Sequence, residues 1–215
     1  AFPILVTTLT TTLLSRSGVW VATAFRIPSE VAVFGVIMRL VALISIPMNL
    51  FESLISPKIV ELHTSGFNRK LENLLRSTTT LLSLFAVAIF IVFGLFGSNI
   101  LAVIYGDFYR MGAQVLMVMI AGNAASVLTG PCGMTLAMTG HQKTLMRIDM
   151  FSSILSIILM LLLVQILGIL GVAIAIAFST LIKNVMMLFA VKKFIGIWTH
   201  FTLDVNQFMT LSLFK

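Results

Sequence analysis

Long apolar runs separated by short polar breaks dominate this sequence. Six runs approach or exceed the roughly 20 residues that a helix needs to cross a bilayer, and they cover residues 3–24, 31–57, 77–97, 115–138, 150–167 and 172–191. Pro28 and Pro57 bound the second run, and Gly130-Pro131 interrupts the fourth, as expected of residues that end helices. Residues 168–171, GILG, predict a very tight turn between the last two runs. The pattern predicts an all-α fold: a polytopic transmembrane bundle of six spans within residues 1–193.

Composition agrees with a membrane protein. The chain is 59% hydrophobic and only 10% charged, with a mean hydropathy of +1.11, which is far more apolar than a water-soluble domain requires. The net charge is +7, but the basic residues form no patch with interleaved aromatics, so we expect no nucleic-acid partner. Cys132 is the single cysteine, and it can form neither a disulfide within the chain nor a cluster of metal ligands. We therefore expect no metal site.

The basic residues follow the breaks asymmetrically. The breaks predicted on the inner side hold Lys58, Arg69, Lys70, Arg76, Lys143, Arg147, Lys192, Lys193 and Lys215, whereas the outer breaks hold Arg26 and Arg110. Under the positive-inside rule this predicts that both ends are cytoplasmic. Residues 194–215 are short and mixed, and we expect them to be an interfacial tail or the truncated start of another span. The sequence opens AFPILV without an initiator methionine, so we expect a fragment.

Two arginines fall within predicted spans. Arg39 lies in the second span, on a helical face that is small or polar at every position except Ile46. The other positions on this face, at intervals of three and four, are Gly35, Ala42, Asn49 and Ser53. Arg16 lies in the first span. A charge within hydrocarbon is costly and commonly marks a functional site. The alternatives are a close helix contact made by the small residues and a snorkelling Arg16.

Several neutral polar residues accompany the arginines. Thr8 and Thr12 share a face of the first span, and Asn123 lies in the fourth. Hydroxyl groups in membrane helices often bond to the carbonyls of their own helix, and Asn123 alone is typical of an interhelical hydrogen bond. Lys183 in the sixth span can snorkel or face a cavity. Glu52 lies near the inner end of its span, where it can reach water, and the loop predicted at residues 139–149 ends at Asp149.

Four stretches resemble polysaccharide flippases, the O-antigen and teichoic-acid type exporters of the multidrug/oligosaccharidyl-lipid/polysaccharide superfamily. They are SEVAVFGVIMRLVALISIPMNLFESLISPKI, which is similar to the eighth-helix region of the family, ILAVIYGDFY, GPCGMTLAMTGHQKTLMRIDMFSS and LGILGVAIAIAFSTLIKN. The resemblance covers nearly the whole chain but only the C-terminal half of the family's usual length. Where the family often has asparagines early in the fifth span of this half, serines stand here.

The resemblance implies a non-enzymatic transporter that flips a polyprenyl-diphosphate-linked oligosaccharide from the cytoplasmic to the outer leaflet, for cell-surface polysaccharide synthesis. It implies a multi-pass protein of a bacterial or archaeal plasma membrane, in contact with membrane lipids, that needs its missing N-terminal half or a second bundle to enclose a path. No cofactor is implied, and coupling to an H⁺ or Na⁺ gradient is left open. The candidate substrate-binding residues are Arg16 and Arg39 for the diphosphate, with Thr8, Thr12, Asn49 and Asn123 for sugar or water.

Other functions stay open beside this one. A cation-coupled multidrug antiporter of the same superfamily would typically place acidic residues within spans, whereas the acidic residues here are predicted near span ends or in loops. A peptidoglycan-precursor flippase is close in kind. An integral-membrane glycan-assembly enzyme, which belongs to a different class, would need converging carboxylates or histidines, and the sequence has no paired-acid motif. A purely structural membrane subunit would leave the two intramembrane arginines without a purpose.

Overall fold

The computed structural model describes residues 2–201, with the side chains of Phe2, Pro3, Pro47 and Met48 excepted. Within that range the fold is all-α. Its elements in order are α1 (Phe2–Phe25), α2 (Pro28–Thr64), α3 (Asn68–Tyr105), a 3-10 helix (Asp107–Gly112), α4 (Ala113–Thr129), α5 (Cys132–Met138), α6 (Gln142–Leu167) and α7 (Ile169–Ile195). The predicted tail lies mostly at residues 202–215, which are outside the described residues, so the boundary at residue 193 stays a prediction.

The polar segment 58–76 is mostly helical, which differs from the loop predicted there. The helix α2 continues through Pro57 to Thr64, and α3 already begins at Asn68. Leu71 and Leu75 are fully buried within the protein. Burial of these leucines against neighbouring helices stabilises both extensions, because a helix face that packs on protein gives more stability than helix propensity alone.

The fourth predicted span is divided in two. Gly130 has φ +81°, and a Cβ atom there would collide with the carbonyl oxygen of Thr199 and with the Thr79 hydroxyl. Only glycine fits such a backbone without strain. The chain therefore leaves α4 at Thr129 and re-enters a helix at Cys132, as the Gly130-Pro131 pair predicted.

The fifth span begins earlier than predicted, so that Asp149 lies within a helix and not in a loop. The helix α6 starts at Gln142 and includes Asp149, which the sequence pattern placed at the end of a loop. At its other end a very tight turn joins α6 to α7, as predicted: Gly168 has φ +64°, and a Cβ atom on Gly171 would collide with the Leu163 carbonyl. These two helices consequently pack closely as an antiparallel pair.

Two large apolar clusters lie in the described part of the bundle, one towards each end. The first includes Phe34, Ile37, Leu101, Leu116, Met160 and Val172. The second includes Ile59, Leu71, Leu75, Leu136, Val191 and Ile195. On each of α2, α3, α6 and α7 the two clusters use opposite parts of the helix, and the polar residues of the site lie between them in the sequence. The core thus has two apolar ends and a polar level between them.

Within residues 2–201, five stretches are long and apolar enough to cross a membrane: Pro28–Thr64, Asn68–Tyr105, Asp107–Thr129, Gln142–Leu167 and Ile169–Ile195. Large apolar side chains project from them, with Val103 86% and Ile166 78% exposed, as expected of surfaces that meet lipid. The threonines and Arg16 make α1 more polar, and it is not among the five. A multi-pass membrane protein is therefore indicated, while the sixth span and the cytoplasmic location of both ends stay predictions.

Candidate functional site

A polar cavity of about 260 Å³ lies where all seven helices contribute residues. It sits between the two apolar clusters. Its polar lining consists of Thr7 and Thr11 from α1, Glu52 from α2, Thr79 from α3, Ser126 from α4, Cys132 from α5, Asp149 from α6, and Thr180, Lys183 and Asn184 from α7. Polar groups concentrated at one level of an apolar bundle are costly to maintain, which makes this cavity a candidate functional site.

An ion pair joins the two helices that pack most closely beside the cavity. The ammonium of Lys183 lies 3.6 Å from Oδ1 of Asp149, whose side chain is only 3% exposed. A carboxylate buried in an apolar bundle is strongly disfavoured without a partner. Because the tight turn after Leu167 sets α6 and α7 side by side, Lys183 reaches Asp149 and compensates its charge. Lys183 itself is 27% exposed and lines the cavity.

Glu52 brings a second carboxylate to the same cavity. It is half-buried on α2, and Lys183 is the cation that interacts with it electrostatically. The cavity therefore holds two carboxylates from different helices and one ammonium. If all three groups are charged, the site has a net charge of −1. That charge can be changed by one proton or by one bound cation.

Hydroxyl and amide groups complete the lining. Thr11 donates a hydrogen bond to the carbonyl of Thr7 at 2.9 Å, and Asn184 donates one to the Thr180 carbonyl at 2.8 Å. The hydroxyl oxygen of Thr7 is buried and has no hydrogen-bond partner within the described part of the chain. Oxygen atoms of threonine, aspartate and glutamate together form a set of hard donors, the kind that binds protons or hard cations.

The segment after α7 closes one side of this region. Thr199 is fully buried, and its hydroxyl donates to the Thr129 carbonyl at 2.9 Å and lies 3.0 Å from Sγ of Cys132. Phe201 donates its backbone N–H to the Leu128 carbonyl at 3.0 Å. The chain beyond α7 therefore folds back over the Gly130-Pro131 break and caps carbonyls that the interrupted helix leaves free.

The structure is similar to a solved structure described as the outward-facing conformation of a multidrug resistance MATE family transporter of the MOP superfamily. The TM-score is 0.74 at 16% sequence identity, and the match covers 94% of this chain and 46% of that one. The chain has the fold of about half of such a transporter. No protein-family model matches the sequence, and no curated protein matches it.

At 16% identity this likeness shows the fold, which is the one expected from the superfamily that the sequence motifs resemble. It does not separate the polysaccharide flippases from the multidrug transporters within that superfamily. The chain spans about half the length of the solved transporter. The likeness therefore shows neither the substrate nor the activity of a whole protein.

The six residues predicted to bind substrate do not line the polar cavity; none is among its described lining residues. Five of them lie exposed on α1 and α2: Thr8, Thr12, Arg16, Arg39 and Asn49. Asn123 is half-buried instead, and it donates a hydrogen bond to the Ser45 hydroxyl at 3.1 Å. Thr8 donates to the Ile4 carbonyl of its own helix at 3.0 Å, one of the alternatives that the sequence left open.

The two acidic residues at the cavity were not among the predicted site residues. The sequence pattern placed Asp149 at the end of a loop and Glu52 near the inner end of its span, whereas both line the cavity. A signal was present: Asp149, Ser152, Ser153 and Ser156 recur at intervals of three and four, which describes one helical face, and all four are buried. The loop boundary drawn at residue 149 cut this face apart and hid the carboxylate at its start.

Proposed function

We propose that this chain forms one helix bundle of a transporter of the multidrug/oligosaccharidyl-lipid/polysaccharide superfamily, which moves a polyprenyl-diphosphate-linked oligosaccharide from the cytoplasmic to the outer leaflet. The substrate assignment rests on the exposure of Arg16 and Arg39 on α1 and α2. Neither arginine lines the polar cavity. Both guanidinium groups are thus free of the cavity's charges to meet a ligand.

A diphosphate-linked glycan suits such a surface chemically. Arginine binds phosphate oxygens through charge-assisted, often bidentate hydrogen bonds, and a diphosphate offers several such oxygens. Thr8, Thr12 and Asn49 are exposed on the same two helices and can contact sugar hydroxyls or water. Asn123 is engaged with Ser45, and we assign it a structural role. The lipid tail of the substrate remains in the bilayer.

A path for the substrate requires a second helix bundle that faces this one. The exposed polar residues of α1 and α2 lie on surfaces that the rest of this bundle leaves uncovered. In the proposed transporter the missing N-terminal half, or a second bundle, faces them across a cleft, and the two bundles rock to open the cleft alternately to each side. The protein would reside with its lipids in the plasma membrane of a bacterium or archaeon, act without a cofactor and catalyse no covalent reaction.

The test is glycan export in cells that depend on the complete protein. Arg39→Ala removes a charged donor, and a hydrogen bond to a charged group contributes about 1.5–3 kcal/mol, so we expect export to fall roughly tenfold or more. Arg16→Ala should act in the same direction. Arg69→Ala, an exposed arginine near the start of α3, is the matched control and should export normally. Normal export by an abundant, membrane-inserted Arg39→Ala protein would refute the assignment.

A multidrug antiporter is the second candidate function, and one observation favours it. Two acidic residues, Glu52 and Asp149, line the cavity inside the bundle, and acidic residues within the spans are typical of a cation-coupled antiporter. Cells that express the complete protein would then resist cationic drugs in a manner that depends on Asp149 and is indifferent to Arg39. Measurement of drug efflux beside glycan export separates the two functions.

A glycan-assembly enzyme has less support. Two carboxylates do meet at the cavity, but Asp149 is neutralised by Lys183 at 3.6 Å. Among residues 2–201 no group of three or more His, Cys, Asp or Glu side chains is placed to hold a metal ion. The absence of enzymatic activity nevertheless stays a prediction.

A further inference from the structure

The side chains that line the cavity include the oxygen ligands of a cation site, and they also include a lysine, Lys183. Two carboxylates, Glu52 and Asp149, face a space that Thr7, Thr11 and Thr180 also line. Such a set of oxygen atoms suits a small, hard cation. The Thr7 hydroxyl oxygen is buried and has no hydrogen-bond partner in the described range.

The cation in this position is Lys183. Its ammonium lies 3.6 Å from Asp149 Oδ1 and interacts electrostatically with Glu52. We infer that Lys183 is the built-in cation of the cavity, that it keeps Na⁺ and other metal cations out, and that the only ion the cavity exchanges is a proton. This inference goes beyond the proposed substrate, because it concerns the ion and not the cargo.

Lys183 and Na⁺ would compete for the same place beside Asp149. A Na⁺ ion held by both carboxylates would have to contact Asp149 next to an ammonium that already lies 3.6 Å from Oδ1, so the two cations would be immediate neighbours within one small cavity. Repulsion between like charges is strong where the effective dielectric is low. A proton is different, because it joins the Asp149 carboxylate itself, which becomes a neutral acid and no longer attracts the ammonium. The ion pair then opens, and loss of the proton restores it.

Four titratable groups line the cavity within the described part of the chain. Glu52 comes from α2, Cys132 from α5, Asp149 from α6 and Lys183 from α7. The lining residues of α1, α3 and α4 are hydroxyl-bearing or apolar and do not titrate. Removal of the positive charge of Lys183 should therefore leave a carboxylate pair with no cation, and such a site should acquire affinity for Na⁺.

The experiment measures Na⁺ binding to the protein in phosphatidylcholine nanodiscs at pH 7, by calorimetric titration and by the midpoint of thermal unfolding, with choline chloride as the ionic-strength control. The wild-type protein should show neither heat of binding nor a Na⁺-specific rise in the midpoint. Lys183→Gln should bind Na⁺, and at ten times the dissociation constant its midpoint should rise by roughly 3–6 °C. Lys183→Gln combined with Asp149→Asn should lose that binding.

Two further variants make the result specific. Lys193→Gln removes an exposed lysine of the same helix, outside the cavity, and should behave as the wild type does. Lys183→Arg keeps the charge and should not bind Na⁺. The inference is overturned if a folded Lys183→Gln protein fails to bind Na⁺. It is equally overturned if Na⁺, and not choline, stabilises the wild-type protein, an observation that needs no variant. Because no transport substrate is present, either failure leaves the export experiment on Arg39 independent.

Discussion

Asn123 on α4 donates a hydrogen bond to the hydroxyl of Ser45 on α2, with 3.1 Å between Nδ2 and Oγ. The bond joins two helices that are distant in sequence. Interhelical hydrogen bonds in membranes contribute about 0.6 kcal/mol on average and up to about 1.7 kcal/mol. We therefore predict that Asn123→Leu lowers the free energy of unfolding by about that amount, measured by thermal or denaturant unfolding in detergent, and leaves glycan export per folded molecule unchanged.

Asn49 supplies the matched comparison, since it is the same residue type exposed on α2. Asn49→Leu should leave stability unchanged and lower export. If Asn123→Leu lowered export and Asn49→Leu lowered stability instead, the substrate contact would have to be assigned to α4 and not to the exposed face of α2. The two measurements, stability and export, thereby separate a packing amide from a substrate-binding amide.

The sequence predicted much of the fold because hydropathy reports directly on burial in a membrane. The tight turn at residues 168–171 and the break at Gly130-Pro131 followed from glycine and proline alone. The ends of the helices were predicted less well, because the extensions at residues 58–76 and 142–149 are polar on one side. Leu71 and Leu75 show why: their burial depends on partners such as Leu136 on α5, which a local pattern does not contain.

The site was predicted only in part for a similar reason. Arg16 and Arg39 stand out as charges in apolar runs, so the sequence identifies them without any knowledge of their neighbours. Asp149 is conspicuous only when α6 is extended back to Gln142, and its partner Lys183 lies 34 residues further along the chain. Pairing across the α6–α7 turn is a tertiary relationship, and neither residue alone predicts the cavity.

Gly122 allows a test of the contact between α4 and α7. A Cβ atom at this position would lie 2.8 Å from the Ala177 Cβ and 2.9 Å from its Cα, too close for the helices to stay in place. Gly122→Ala should therefore destabilise the protein by about 1–3 kcal/mol, with a fall in the unfolding midpoint of roughly 2–4 °C per kcal/mol.

The control for this variant is Gly35→Ala, since a Cβ atom on Gly35 meets nothing within 4 Å. Replacing a mid-helix glycine by alanine at an open position stabilises the helix by roughly 0.5–1 kcal/mol. Opposite shifts of the two midpoints are expected. Equal shifts would mean that the close approach of α4 and α7 does not exist in the membrane.

Membrane topology is tested by cysteine labelling, for which Cys132→Ser provides a background without cysteine. Ile27, 60% exposed in the turn between α1 and α2, is predicted to lie outside, and Ser65, exposed between α2 and α3, inside. Ile27→Cys should react with an impermeant maleimide in intact cells, whereas Ser65→Cys should react only after permeabilisation. If Ile27→Cys also required permeabilisation while Ser65→Cys did not, the assumed orientation would be inverted; equal labelling of both would remove α2 from the set of spans.

The Asp149–Lys183 pair makes a prediction about stability that is separate from ion binding. Asp149→Asn leaves the ammonium of Lys183 without its buried partner. Breaking a fully buried pair costs about 3–5 kcal/mol, but Lys183 is 27% exposed and solvent screens part of its charge, so we expect a loss of roughly 1–3 kcal/mol.

The double variant Asp149→Asn, Lys183→Met carries no charge at either position, and its loss should be smaller than that of Asp149→Asn alone. A double-mutant cycle measured at one ionic strength gives the coupling energy. Additive losses would show that the two side chains do not interact in the membrane, and the cavity would then need another explanation for its buried carboxylate.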